Sequence, residues 1–164
     1  EGDIPRFAEL GVVASMQPEH IAICDEFKDN PYLSRLGKKR EHLTWPIRTL
    51  LEAGAAMQFG TDCPIVDNDP MLAVYRAVTR TFNDGNPAGG WNPKEKISLA
   101  QALKCYTYGS AYGAFMEDDL GTLEDGKLAD IVVLSKNLFD VDPEEYRSVT
   151  AVMTIMDGQI VYKA

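Results

Sequence analysis

A helix, a glycine and a short apolar strand occur twice in the first 62 residues, and this repetition limits the folds open to the chain more than any other feature. In the first unit, Asp3–Leu10 (DIPRFAEL) offers an aspartate as cap and Pro5 in the first turn, with Ile4, Phe7 and Leu10 on one face. Gly11 ends that helix, and Val12–Met16 (VVASM) reads as a buried strand stopped by Gln17-Pro18. In the second, Trp45–Ala53 (WPIRTLLEA) starts a helix with Pro46 at its first position and Ile47, Leu50 and Leu51 as its apolar face. Gly54 stops it, and the run Ala55, Ala56, Met57, Phe59 is too short for an independent helix and ends at Gly60. Strands that alternate with helices build a parallel sheet, in a barrel or a doubly wound arrangement, rather than a sandwich.

In both of those α/β architectures chemistry collects at the carboxyl ends of the strands. Thr61 and Asp62 follow the second strand, and Pro64 cannot continue a ladder. An acid there is a candidate metal ligand or proton acceptor; the same position also fits an aspartate that bonds its own turn or caps the next helix. Gln17 and His20 follow the first strand, so a shared rim would carry both loops. His20 could then face a substrate or orient a ligand. Its other reading is a solvated residue in the first turn of a helix over PEHIAICDEF. A self-contained site of His20, Cys24 and Asp62 lacks the short helical or hairpin spacing of metal pairs.

Further along, the polar stretch Lys28–Thr44 reads as a long connection, with Lys38, Lys39 and Arg40 on a solvated face. Met71–Thr81 is helical in pattern, and Asn83–Pro93 (NDGNPAGGWNP) is loop by composition. Ser98 caps a long helix reaching Phe115, in which Ala102, Gly109, Ala111 and Gly113 imply close packing and Tyr106, Tyr108 and Tyr112 carry their hydroxyls at the periphery. At Gly121 the texture changes. Asp130–Leu134 reads as a strand, and Val149–Met156 with Gln159–Lys163 flank Asp157-Gly158, a strong hairpin signal. The expected division is therefore an α/β part over residues 1–120 and a small antiparallel β-element over 121–164. Three strands are thin for an independent sheet.

With 164 residues there is room for one domain with a real core. The formal net charge of −9 disfavours nucleic acid and anionic membranes as partners and leaves small-molecule substrates open. No apolar run approaches the roughly 18 residues that span a bilayer, and no signal peptide is recognised. Cys24, Cys63 and Cys105 are odd in number and outside CxxC pairs, which speaks against a disulfide scaffold and for a reducing cytoplasm. The chain opens at Glu1 rather than methionine, as expected for a portion of something longer.

The closing segment GTLEDGKLADIVVL, followed by the MDGQIVY hairpin, resembles the C-terminal end of the amidohydrolase superfamily of metal-dependent hydrolases. The segments LGVVASMQPEH, WPIRTLLEAGAAMQFGTDCPI, AVTR and GGWNPKEKISLAQALKCYTYGSAY extend the likeness, in the order and spacing of the branch that includes N-substituted formamide deformylase. The resemblance implies a fold: the last two strand units of a (β/α)8 TIM-type barrel, followed by strands of a small composite β-domain. It also implies a chemistry. Asp62 of FGTDCP matches the aspartate at the end of the eighth barrel strand, which binds the metal and takes a proton from the attacking water. A divalent ion, zinc by expectation, lowers the pKa of that water, and the carboxylate accepts its proton during attack on an amide-like C–N bond. Val12–Met16 would be the seventh strand, with Gln17 and His20 as substrate-binding residues on the rim.

The family's His-x-His pair, its bridging lysine or carboxylate and the histidines of the fifth and sixth strands have no counterpart in a chain with two histidines. Asp62 alone cannot build a site that needs three or more protein ligands. Two expectations follow. These residues form the C-terminal portion of a hydrolase and are inactive in isolation, or they form a non-catalytic remnant that works as a binding or self-assembly module through open strand edges.

Overall fold

The computed structural model describes all of residues 1–164. Helix α1 spans Ile4–Leu10 and ends at Gly11, whose φ of 64° is the left-handed conformation that a glycine adopts without penalty. Asp3 does not cap it: its carboxylate accepts from the Arg6 side chain at 2.5 Å instead. Strand β1 (Ala14–Met16) pairs in parallel with β2 (Met57–Phe59), Ala14 opposite Met57 and Met16 opposite Phe59. Both strands are shorter than the apolar runs around them, because only this three-residue ladder, with Ala14 N–H donating to Ala56 O at 2.8 Å, is hydrogen-bonded across. The helix between them, α4 (Ile47–Glu52), buries Ile47 and Leu50, and Pro46 stands just before its first residue. The parallel pair with its helices confirms the α/β reading.

The stretch expected as a bare connection is partly helical. Asn30 accepts the Tyr32 N–H at 2.9 Å and Pro31 opens α2 (Pro31–Leu36); α3 (Lys38–Glu41) follows. Asn-Pro here is a cap followed by a first helical residue, a pattern as legible as a turn. Conversely, the helix expected over PEHIAICDEF is only a 3₁₀ turn, Pro18–Ala22. Helix α5 (Pro70–Thr79) is capped by Asp69, which accepts the Met71 N–H at 2.9 Å, and ends at Arg80 with φ 58°.

Ser98 and Gln101 form a reciprocal capping box on α6 (Leu99–Tyr106). The single long helix expected after it breaks at Thr107 (φ −100°, ψ −90°), and α7 (Tyr108–Gly113) leaves in a new direction. The break lets α7 lie on β2. A Cβ on Gly109 would stand 2.1 Å from Met57 O, and one on Gly113 would meet the Gln58 side chain. Ser110 Oγ donates to Phe59 O at 3.2 Å. The Tyr106 hydroxyl is not peripheral, as expected, but buried and without a hydrogen-bond partner.

One core joins these elements: Ala14, Met57 and Phe59 from the strands, Leu50 from α4, Val74 and Tyr75 from α5, and Ala102 and Cys105 from α6. Leu138, Tyr146 and Val149, which lie between the last strands, belong to it too. A smaller cluster gathers Ile21, Ala22, Phe82 and Trp91, with Phe27, Tyr32 and Trp45 against it. The C-terminal sheet runs β3 (Ile131–Leu134), β4 (Ala151–Met156), β5 (Gln159–Lys163), antiparallel throughout. Asp157 (φ 48°) and Gly158 (φ 73°) make the hairpin turn that their dipeptide predicts. Every residue of β5 is exposed.

Gly109→Ala tests the close approach of α7 to β2. In an exposed helix the change would stabilise by up to ~1 kcal/mol. Here the added methyl must displace a carbonyl, and a net loss of about 2 kcal/mol is expected from overpacking. Urea unfolding measures it, and a gain in stability would show that α7 does not pack this closely.

Candidate functional site

The register of β1 and β2 sets the site. Because Met16 pairs with Phe59 and Gly60 N–H donates to Met16 O at 3.2 Å, the segments after both strands leave at the same end. The structure brings Gln17, His20, Thr61 and Asp62 to one rim. Gln17 and His20 are half-buried, and Asp62 is exposed. A ring nitrogen of His20, Nε2, lies 3.2 Å from Thr61 O. A carbonyl oxygen only accepts, so in this contact Nε2 carries the hydrogen and donates.

Asp62 has φ 62°, in the left-handed region that aspartate tolerates better than most residues. Cys63 N–H donates to Thr61 Oγ1 at 3.3 Å and Ile65 N–H to Asp62 O at 2.8 Å, so the turn is closed by the threonine hydroxyl and the backbone. The helix cap downstream belongs to Asp69. Neither task that would occupy the Asp62 carboxylate structurally falls to it, and the residue is exposed on the rim.

Beneath the rim lies a pair of charges that sequence reasoning missed. Glu19, beside His20, faces Arg76 of α5: Nε stands 3.3 Å from Oε2, a charge contact without hydrogen-bond geometry, and Nη2 stands 3.5 Å from Oε1. Arg76 is wholly buried, and its guanidinium also donates to Thr81 O at 2.5 Å and to Asn83 Oδ1. Burial pushes the Glu19 carboxyl above its usual range, with Arg76 pulling the other way. Burial likewise raises the Tyr106 hydroxyl, and the carboxylates of Glu19 and Asp69 add to the shift. An available signal was the arginine inside the apolar stripe Val74, Tyr75, Ala77, a position a charged residue occupies only with a partner.

No group of three His, Cys, Asp or Glu side chains comes close enough to hold a metal ion. Asp62 has neither His20 nor Cys24 as a co-ligand, so the residues present do not by themselves fit a metal centre. Two hollows lie elsewhere. One of about 440 Å³ opens beside Met16 between Tyr32, Leu36, Leu43 and Trp45; the other, of about 290 Å³, lies between Ala55, Met57 and Tyr108. Neither is lined by Asp62 or His20.

A parallel strand pair with an exposed aspartate at its carboxyl end, and a closing antiparallel sheet, agree with what comparison finds. The Amidohydrolase family model matches residues 1–162, and the chain belongs to that family. It is 30% identical over 128 residues to N-substituted formamide deformylase of Arthrobacter pascens, a match covering 77% of this chain and 23% of that protein. A solved metal-dependent hydrolase from Pyrococcus horikoshii superposes with a TM-score of 0.74 at 28% identity, over 88% of this chain and 28% of that one. A mutant atrazine chlorohydrolase TrzN from Arthrobacter aurescens, complexed with zinc and atraton, aligns at 26% identity and a TM-score of 0.62, over 99% of this chain and 34% of that one. The resemblance read from the sequence is thus upheld, and with it the mixed α/β, TIM-barrel-type superfamily. The chain spans 23–30% of the length of three curated relatives it matches.

Arg76→Met leaves Glu19 buried without its counter-charge, and a loss of about 3 kcal/mol in urea unfolding at neutral pH is expected. A change below ~0.5 kcal/mol would mean that the pair is hydrated and holds nothing.

Proposed function

We propose that these residues are the C-terminal portion of a metal-dependent hydrolase that cleaves an amide-like C–N bond in a small molecule, and that Asp62 supplies one metal ligand and the proton-accepting carboxylate. The observation that carries this reading is the exposed Asp62 carboxylate, unused by its own turn, at the carboxyl end of a parallel strand in a chain of the amidohydrolase family. The two strands are then the seventh and eighth of the barrel, and Gln17 and His20 stand where substrate approaches. A bound divalent ion lowers the pKa of water, and zinc is favoured because a related structure carries it. With such an ion held by Asp62 and by ligands from elsewhere, the Asp62 carboxylate would be placed to accept a proton from the activated water. The other ligands come from outside these 164 residues, so the chain alone does not turn over substrate. Three free cysteines accord with a cytoplasmic setting.

Asp62→Asn in the complete enzyme keeps the shape and removes the proton acceptor. Turnover of N-substituted formamides should fall by at least ~10²-fold with the fold intact by circular dichroism. Turnover within ~3-fold of wild type would refute the role, since a positioned general base contributes far more than that.

A second reading rests on the missing ligand cluster and on β5, exposed along its length. On that reading the chain is a non-catalytic module that self-associates through open strand edges. Metal content separates the two: the complete protein holds stoichiometric zinc under the first reading and none under the second.

A further inference from the structure

His20 does more at the rim than line it. Its imidazole reaches across from the loop after β1 to a backbone atom of the loop after β2, Thr61 O. That carbonyl belongs to the peptide plane whose nitrogen is Asp62 N, so holding the oxygen restricts rotation about the Asp62 N–Cα bond. Asp62 sits at φ 62°, a left-handed conformation that carries a cost for any residue but glycine and is held more firmly when its surroundings fix it.

The ring is itself held from both sides along its own chain. On one side, Glu19 is drawn under the rim by Arg76, whose guanidinium is anchored on Thr81 O and Asn83 Oδ1. On the other, Ile21 and Ala22 are buried against Phe82 and Trp91. The backbone between them is a 3₁₀ turn closed by His20 N–H on Gln17 O at 3.1 Å. The direction of the ring is therefore set by packing on its two neighbours, and Nε2 delivers that rigidity to the Thr61–Asp62 peptide.

We propose that His20 is a positioning residue for Asp62: its Nε2–H, braced by the Glu19–Arg76 pair, clamps the Thr61 carbonyl and so fixes the direction in which the Asp62 carboxylate points. The functional weight of this clamp rests on the hydrolase reading above; the clamp itself does not.

The chemistry of the bond chooses the variants. Glutamine can place an amide N–H near the position of Nε2, whereas asparagine places its amide near Nδ1 and is too short to reach. Cys63, the exposed residue next to Asp62, reports on the turn. Alkylation of Cys63 by iodoacetamide, read by peptide mass spectrometry on the metal-free chain, should quicken in His20→Ala and His20→Asn by roughly two- to tenfold, the range for loss of one hydrogen bond of ordinary net worth. His20→Gln should stay at the wild-type rate. Alanine at the wild-type rate, or glutamine as fast as alanine, would overturn the clamp. So would asparagine restoring the wild-type rate while glutamine does not, which would place the role at Nδ1. A check that needs no variant is the long-range ¹H–¹⁵N spectrum of the wild-type chain. The neutral His20 ring should be the Nε2–H tautomer, and an Nδ1–H tautomer would overturn the proposal. Because the readout involves neither metal nor substrate, a failure of Asp62→Asn to lower turnover would sink the hydrolase reading without touching this result.

Discussion

Two guanidinium groups four residues apart, Arg76 on α5 and Arg80 at its C-terminal cap, hold much of the rim side of this molecule in place. Arg76 ties Glu19 of the first loop to Thr81 O and Asn83 beyond the helix. Arg80 donates to Trp91 O at 2.6 Å, Thr44 O at 3.0 Å and Trp45 O at 3.2 Å, gathering the connection before α4 and the glycine-rich loop around one buried cation. Burial draws the Arg80 pKa down to about 10, with the carboxylate of Glu95 pulling it back up. Even so the group stays charged at neutral pH, and its hydrogen bonds are the charge-assisted kind. Glu95 in turn accepts from the backbone and hydroxyl of Thr49 at the start of α4. The strands supply only three residues each to their ladder, so the position of the rim depends on these side-chain clamps as much as on the sheet.

The two sheets stand in different conditions. β1 and β2 are backed by α4, α5, α6 and α7, with Met57 and Phe59 buried. The C-terminal sheet has no such backing. Val132, Ile160 and Val161 are each more than half exposed. The register puts Val132 and Ile160 on opposite sides, so both faces of this sheet carry exposed apolar side chains. What anchors the sheet is the segment between β3 and β4, whose Leu138, Tyr146 and Val149 enter the main core.

The sequence conveyed the parts of this structure that depend on local pattern. Helix–glycine–strand repetition yields the parallel pair, Asp157-Gly158 yields the hairpin, and Ser98 with Gln101 yields a capping box, because each is decided within a few residues. The break at Thr107 was not legible. No proline marks a stop between Leu99 and Phe115, and the approach of Gly109 to Met57 O that accompanies the break joins residues 52 positions apart. Asp62 could be proposed from its place after a strand, and the shared rim from the likeness of the two units. The Glu19–Arg76 pair and the reach of His20 to Thr61 could not, since both depend on how loops from different units face one another. Amphipathic patterning shows which residues are buried; it does not show which buried charge meets which.

A common property of the clamps has a bearing on how such a rim can change. His20, Arg76 and Arg80 take hold of carbonyl oxygens at Thr61, Thr81, Trp91, Thr44 and Trp45, and every residue type has a carbonyl oxygen. The course of the loops is thereby separated from the identity of their side chains. Residues along them can be exchanged for others while the backbone keeps its path, and a surface with a fixed frame and replaceable side chains can be refitted to new molecules without being refolded.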